Sequence, residues 1–396
     1  MLMKDELFDA QLTRALGYAS VGGSDVGECL STAARIRRTD TDLWHDEWLA
    51  TAHRVRGDAD QAAAAGRTVS ARGAYLRAAT YFRTAGVFLL DAPVDARLVE
   101  AHRLEVESFR LGVSLLAHPP RLVEIPSEDG PLPGYHFRSG ADAGPHALII
   151  LTGGYDGTCE ELYFSSGAAA LARGYDVLAF DGPGQGAMII DRGVLLRPDW
   201  ENVITPVVDF ALTLPGVDPA RIVLEGLSFG GYTAPRAASG EHRLAACISD
   251  CGPYDLFDVI AGRLPGFLAR QLPDGNPRAL RVLARILRTV MAKPTAGWAL
   301  RRARLVHATA DPLDYFRLAP RYTLKGREHL IECPTFVAHA EGDDLSAAAP
   351  RLFAALTCPK EYVLFTAAEG AGSHCEATAR TLYHQRAYGW LDGVLA

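Results

Sequence analysis

The sequence predicts an α/β protein: a mostly parallel sheet covered by helices on both faces, preceded by a helical region and interrupted by a helical insertion. Three observations carry this. Six short apolar runs alternate with helix-like segments over the last two thirds of the chain, the pattern of strands buried on both faces of a parallel sheet. The first 115 or so residues carry apolar side chains at spacings of three and four, with almost no strand signal. One interval between consecutive strands is far too long for a plain crossover.

Residues 1–115 read as a helical bundle. "DVGECLSTAARI" and the long stretch from "DTDLWHDEW" to "AGVFLL" are amphipathic at the helical period, and Asp58 and Ser70 are expected to begin helices there. The pattern changes at "HPPRLVEIPSEDGPLPGYHF", where short β-rich runs meet turn residues. Residues 116–396 then form the sheet-containing region. Its strands are expected at "HALIIL" (146–151), "YDVLAF" (175–180), "RIVLEG" (221–226), "LAACIS" (244–249), "PTFVAHA" (334–340) and "EYVLF" (361–365). The insertion, about 255–330, is helical and Arg-rich. Its arginines are expected on a solvated helix face, with binding of an acidic substrate as the alternative.

Composition narrows the function. The chain has 396 residues, 48% of them hydrophobic, and a net charge of −7 without a long basic tract, which argues against nucleic acid or an anionic membrane as partner. No apolar run is long enough to cross a bilayer, and the first residues lack an apolar signal core, so a cytoplasmic protein is expected. The seven cysteines are irregularly spaced with no CxxC pair. They are expected as small buried hydrophobes in a reducing compartment, and neither a metal site nor a cofactor is expected.

"LEGLSFGGYTAPRAA" (224–238) places Ser228 between Gly226 and Gly230, after a buried strand and before a helix. A strand–serine–helix elbow strains the serine backbone and leaves no room for side chains two residues to either side. It lifts the hydroxyl above the sheet edge and aims the Phe229 N–H at the same point. Such a serine needs a base, and in this architecture acid and histidine follow it in that order at strand C-termini. His374, in the Gly-rich "EGAGSHCEA" loop, has the required order and position; His339 lies inside a strand and His384 in the last helix. For the acid, Asp343 is the first polar position after its strand with room to turn back; Asp344 is the close alternative and Asp250 a third. A second oxyanion donor is expected from "TGGYDGTCEE", the Tyr155 N–H with Gly154 as alternative. "DGPGQG" (181–186) lacks the lysine of a phosphate loop and reads as a loop at the pocket rim.

"LTGGYDGTCEE", "YDVLAFDGPGQG", "GLSFGGY", "CPTFVAHAEGDD" and "EGAGSHCEA" together resemble the α/β-hydrolase superfamily. "SARGAYLRAATYFRTAGVFL" and "ARLVHATADPLDYFRLAPRYTL" narrow the resemblance to the group containing 2,6-dihydroxypseudooxynicotine hydrolase and the fungal polyketide-shortening hydrolases. It implies the α/β-hydrolase fold, Ser228 as nucleophile, Asp343 as acid, His374 as base, the N-terminal helices as a cap over the site, a homodimer, and cleavage of a carbon–carbon bond next to a carbonyl. Tyr155, Asp255 and Asp258 are the expected substrate-side groups near the pocket. The expectation is a cofactor-free serine hydrolase acting on a bulky small molecule. The same triad serves an esterase, lactonase, thioesterase or acyltransferase, and a hydrolase-like scaffold that only binds is the reading from another class.

Overall fold

A computed structural model describes residues 2–140, 144–270 and 275–396; residues 271–274 of the expected insertion lie outside the described residues. Five helices open the chain: α1 (Glu6–Gly17), α2 (Val26–Arg35), α3 (Thr41–Ala64), α4 (Thr68–Gly86) and α5 (Ala96–Ser114). Four begin at an aspartate whose carboxylate accepts first-turn N–H groups: Asp5, Asp25, Asp40 and Asp95. Asp58 and Ser70 do not begin helices. Asp58 sits inside α3, paired with Arg54 one turn back at 3.3 Å, because Asp40 already caps that helix and good helix formers run on to Gly66, which turns out of it at φ 70°. Ser70 lies in the first turn of α4, which Arg67 opens without a side-chain cap.

Aromatic side chains hold these helices together. The Trp44 ring lies 4.8 Å from Phe8, 5.1 Å from Phe88 and 5.7 Å from Trp48, and its indole N–H donates to the Thr84 carbonyl at 2.8 Å.

Among the described residues the sheet has eight strands: β1 (Arg121–Ile125), β2 (Leu132–Phe137), β3 (His146–Thr152), β4 (Asp176–Phe180), β5 (Val217–Leu227), β6 (Ala246–Asp250), β7 (Thr335–Ala340) and β8 (Lys360–Phe365), in the order β1-β2-β4-β3-β5-β6-β7-β8. β1 and β2 form an antiparallel edge; from β4 to β8 every pair is parallel. Period-two alternation explains the unbroken apolar runs. In β3, Leu148 and Ile150 enter the core on one face, while Ala147, Ile149 and Leu151 enter the core on the other. This is the architecture the resemblance implied.

Between β6 and β7 the insertion folds as helices, among them Leu256–Gly262, Pro277–Met291, Trp298–His307 and Pro312–Leu318. In Pro277–Met291 the apolar Leu283, Ala284 and Leu287 are buried while Arg278, Arg281, Arg285 and Arg288 face solvent, the solvated face expected of them. Trp298 ties the insertion to the N-terminal helices: its ring lies 6.2 Å from Phe88 and its N–H donates to the Val87 carbonyl at 2.8 Å. Among the described residues no helix is long and apolar enough to cross a membrane.

Trp44→Ala removes the ring that joins α1, α3 and the end of α4. It should cost about 3–5 kcal/mol, read as a lower denaturant midpoint; an unchanged midpoint would mean that the cluster does not hold the bundle.

Candidate active site

Ser228 occupies the turn between β5 and the helix Gly230–Ala238 with φ 61°, a left-handed conformation rare outside glycine. The surroundings enforce it. A Cβ at Gly226 would stand 1.9 Å from the Gly230 carbonyl oxygen, and one at Gly230 would stand 2.5 Å from that of Thr152. The Ser228 N–H donates to the Asp250 carbonyl at 2.9 Å, and the Gly231 N–H donates to the Ser228 carbonyl at 2.9 Å. Both bonds close the turn from the neighbouring strand end and from the helix.

The loops after β7 and β8 bring two of the expected partners to that hydroxyl. Ser228 Oγ lies 2.8 Å from His374 Nε2, and His374 Nδ1 lies 2.8 Å from Asp343 Oδ2. The carboxylate accepts only, so Nδ1 carries a proton in either charge state, and in the neutral ring Nε2 receives the serine O–H. Asp343 Oδ1 also accepts the Leu345 N–H at 3.1 Å. Burial alone would raise the Asp343 pKa, but the neighbouring imidazolium and these hydrogen bonds hold it below the usual carboxylate range. Partial desolvation would lower the pKa of His374; the charge and hydrogen bond of Asp343 outweigh it and push it up to about 9. The ring stays 43% exposed, so solvent reaches the base.

The other two acids point elsewhere. Asp344 is 79% exposed, with Arg263 at 3.7 Å. Asp250 is fully buried and its carboxylate meets Arg380 at 2.6 Å; it holds the elbow through its main chain. His339 shares its Nδ1 with the Tyr362 hydroxyl at 2.7 Å, and His384 stacks on Tyr388 with Nε2 on the Ser165 carbonyl at 2.8 Å. Both are packing histidines.

The loop after β3 passes directly over the elbow. A Cβ at Gly154 would stand 2.8 Å from Ser228 Cβ and 2.9 Å from its Oγ, so only glycine fits there. Among the described residues the peptide N–H groups of Tyr155 and Phe229 donate to no backbone acceptor. The Tyr155 ring lies 4.3 Å from that of Phe229, and its hydroxyl reaches His307 Nε2 at 2.8 Å. His307 Nδ1 is 3.2 Å from the Tyr322 hydroxyl, which donates to the Leu196 carbonyl at 3.0 Å. Nδ1 is therefore protonated and Tyr155 donates to Nε2. Burial pushes the His307 pKa down to about 3, so the ring is neutral.

Asp156, next in the loop, is nearly buried among three arginines: Arg14 at 2.9 Å, Arg302 at 3.4 Å and Arg83 at 3.8 Å, while Arg83 also donates to the Asp156 carbonyl at 3.0 Å. Burial would raise its pKa, but these three charges hold it far below the usual carboxylate range. Glu161 binds Arg14 at 2.6 Å and Arg83 at 2.9 Å. Helices α1 and α4 and the insertion thus all grip this one loop. Sequence reasoning missed the network, because the arginines come from three distant segments and no local motif announces them.

"DGPGQG" braces the same loop. Asp181 accepts the N–H groups of Cys159 at 2.7 Å and Ala187 at 2.9 Å, and Gln185 donates to the Gly153 carbonyl at 2.6 Å. Asp255 and Asp258 do not join the Ser228 cluster. Asp255 caps the helix Leu256–Gly262 and pairs with Lys325 at 3.2 Å; Asp258 pairs with Lys325 at 2.8 Å and Arg351 at 3.2 Å. A helix N-terminus and basic neighbours are stronger attractions for a carboxylate than an apolar pocket wall. A separate cavity of about 590 Å³ lies between α5 and β2, lined by His102, Tyr135, Glu160 and Asp181, and includes none of Ser228, Asp343 or His374.

Residues 148–382 match the alpha/beta hydrolase family model. The chain is similar to hydrolase acrC of Aspergillus aculeatus, 37% identical over 98% of this chain and 96% of that protein. It is also similar to the 20-hydroxy-prefusarin hydrolase FUS2 of Gibberella moniliformis, 33% identical over 99% of this chain and 97% of that protein. Among solved structures, 2,6-dihydroxy-pseudo-oxynicotine hydrolase superposes with a TM-score of 0.76 at 24% identity, covering 96% of both chains.

The pKa of His374 tests the arrangement without any substrate. In Asp343→Asn it should fall from about 9 toward the ordinary histidine value of about 6.5, read by NMR titration of the imidazole; Asp344→Asn should leave it in place. The reverse order would make Asp344 the partner.

Proposed function

The chain belongs to the α/β-hydrolase family, and from that premise we propose that it is a serine hydrolase in which Ser228, His374 and Asp343 form the catalytic triad. The observation that carries the proposal is the unbroken chain of 2.8 Å contacts from Asp343 through His374 to a serine held at φ 61°. His374 Nε2 takes the serine proton as Oγ attacks a substrate carbonyl. The N–H groups of Phe229 and Tyr155, with Gly154 as the alternative to Tyr155, receive the developing oxyanion. Asp343 keeps the imidazole in the productive tautomer and stabilises the imidazolium. His374 then returns the proton to the leaving group, and water releases the acyl-enzyme.

We read residues 1–115 as a cap over this site, gripping the oxyanion loop through Arg14 and Arg83. The substrate we favour is bulky and aromatic or polyketide-like, a β-dicarbonyl or aryl ketone cleaved at carbon–carbon. A carbon leaving group departs as an enolate or phenolate and needs a proton in place. The buried Tyr155–His307–Tyr322 chain supports this reading, as it sets a phenol and a neutral imidazole behind the oxyanion loop. Hydrolysis of an ester, lactone or thioester, or acyl transfer by the same triad, is favoured by the exposure of His374, since an open base suits a leaving group that needs no guarding.

Purified protein offered matched aryl β-diketones and aryl esters of one size should cleave the diketones. Ester turnover alone would move the assignment to esterase. Ser228→Ala should fold and lose roughly 10⁴–10⁶-fold in turnover on whichever substrate works; turnover near wild type would remove the triad.

A further inference from the structure

Behind the base lies a group of side chains that the hydrolytic reading does not use. Cys251 follows β6 and Cys375 follows His374, both on left-handed backbone at φ 55° and φ 50°. Their sulfurs and the carboxylate of Asp250 all lie within 4.8 Å of one another. Cys375 Sγ is also 3.6 Å from His374 Nε2, the nitrogen that faces Ser228. Asp250 is fully buried. One of its oxygens meets Arg380, and the other, Oδ1, has no hydrogen-bond partner among the described residues.

We propose that Cys251, Cys375, Asp250 and His374 form an inhibitory site for a soft divalent cation of the zinc class. Two thiolates, an imidazole nitrogen and a carboxylate are a donor set that zinc takes in tetrahedral geometry. With Zn–S of about 2.3 Å and Zn–N of about 2.0–2.1 Å, such a site separates sulfur from nitrogen by about 3.6 Å, the spacing found between Cys375 and His374. Each thiol, and His374 Nε2 where the ring is protonated, loses its proton to solvent as its bond to the ion forms. The Nε2 lone pair of His374 goes to the metal, so its hydrogen bond to Ser228 is broken and the base is blocked. Arg380, paired with Asp250 at 2.6 Å and with the buried Glu376 at 3.4 Å, offsets part of the negative charge of the ligand set. Cys375 and His374 are reached from solvent, so the ion has an entry path.

The inhibition rests on His374 acting as the base; binding of the ion does not, so the two are measured separately. Reduced, chelator-treated full-length protein is titrated with Cd²⁺, which reports thiolate ligation by ultraviolet charge-transfer absorption. One equivalent should bind, and Cys251→Ala and Cys375→Ala should each abolish the band while Cys29→Ala keeps it. Zn²⁺ at ten times its Kd should leave about a tenth of the turnover, restored by chelator, and Cys375→Ala should turn over yet resist Zn²⁺. No band in the wild-type protein overturns the proposal. So does a band that survives both substitutions, which would put the ion on other cysteines. Cadmium binding that needs both cysteines, with turnover untouched by Zn²⁺, would keep the site and contradict the role of His374 as base.

Discussion

The backbone of Ser228 stands at φ 61° because nothing larger than glycine fits two residues to either side of it. A non-glycine residue held there costs on the order of 1–3 kcal/mol, and the buried ends of β5 and β6 sustain it. The hydrogen bond from the Ser228 amide to Asp250 is part of that support. Once the hydroxyl is lifted off the sheet, the parallel order does the rest. β7 and β8 lie second and third from β5 in the sheet, and the loops at their C-terminal ends deliver Asp343 and His374 to the same place.

The loop after β3 is held by a different force. Asp156 and Glu161 are buried carboxylates, and Arg14, Arg83 and Arg302 reach them from α1, α4 and the insertion. Burying so many charges adds little net stability, but removing one partner leaves an uncompensated ion and costs about 3–5 kcal/mol. The network therefore ties the helical region and the insertion to this one loop. It also links the position of Gly154 and Tyr155 above Ser228 to the packing of segments more than seventy residues away.

What was legible in the amino acids follows from range. The elbow and the two loops that carry Asp343 and His374 are local motifs at strand ends, so residue type and order were enough to find them. Five of the six strands were readable because burial on both faces leaves unbroken apolar runs; the edge strand β8, largely exposed, showed through its β-rich residues alone. The helix starts at Asp58 and Ser70 were misread, since an earlier cap at Asp40 wins when the helix can continue. Asp255 and Asp258 looked like pocket acids by proximity in sequence, yet Lys325 and Arg351, from elsewhere in the chain, hold them. The arginines around Asp156 and the meeting of Cys251 with Cys375 depend on tertiary closure, and no spacing in the sequence encodes either.

The central claim is that Ser228, and no other side chain, is the activated nucleophile. A fluorophosphonate forms a stable covalent ester only with a serine whose proton is removed by a positioned base. After brief exposure at neutral pH, digestion and tandem mass spectrometry should find a single adduct, on Ser228. An unlabelled Ser228 peptide, or an adduct on another serine, would contradict the account.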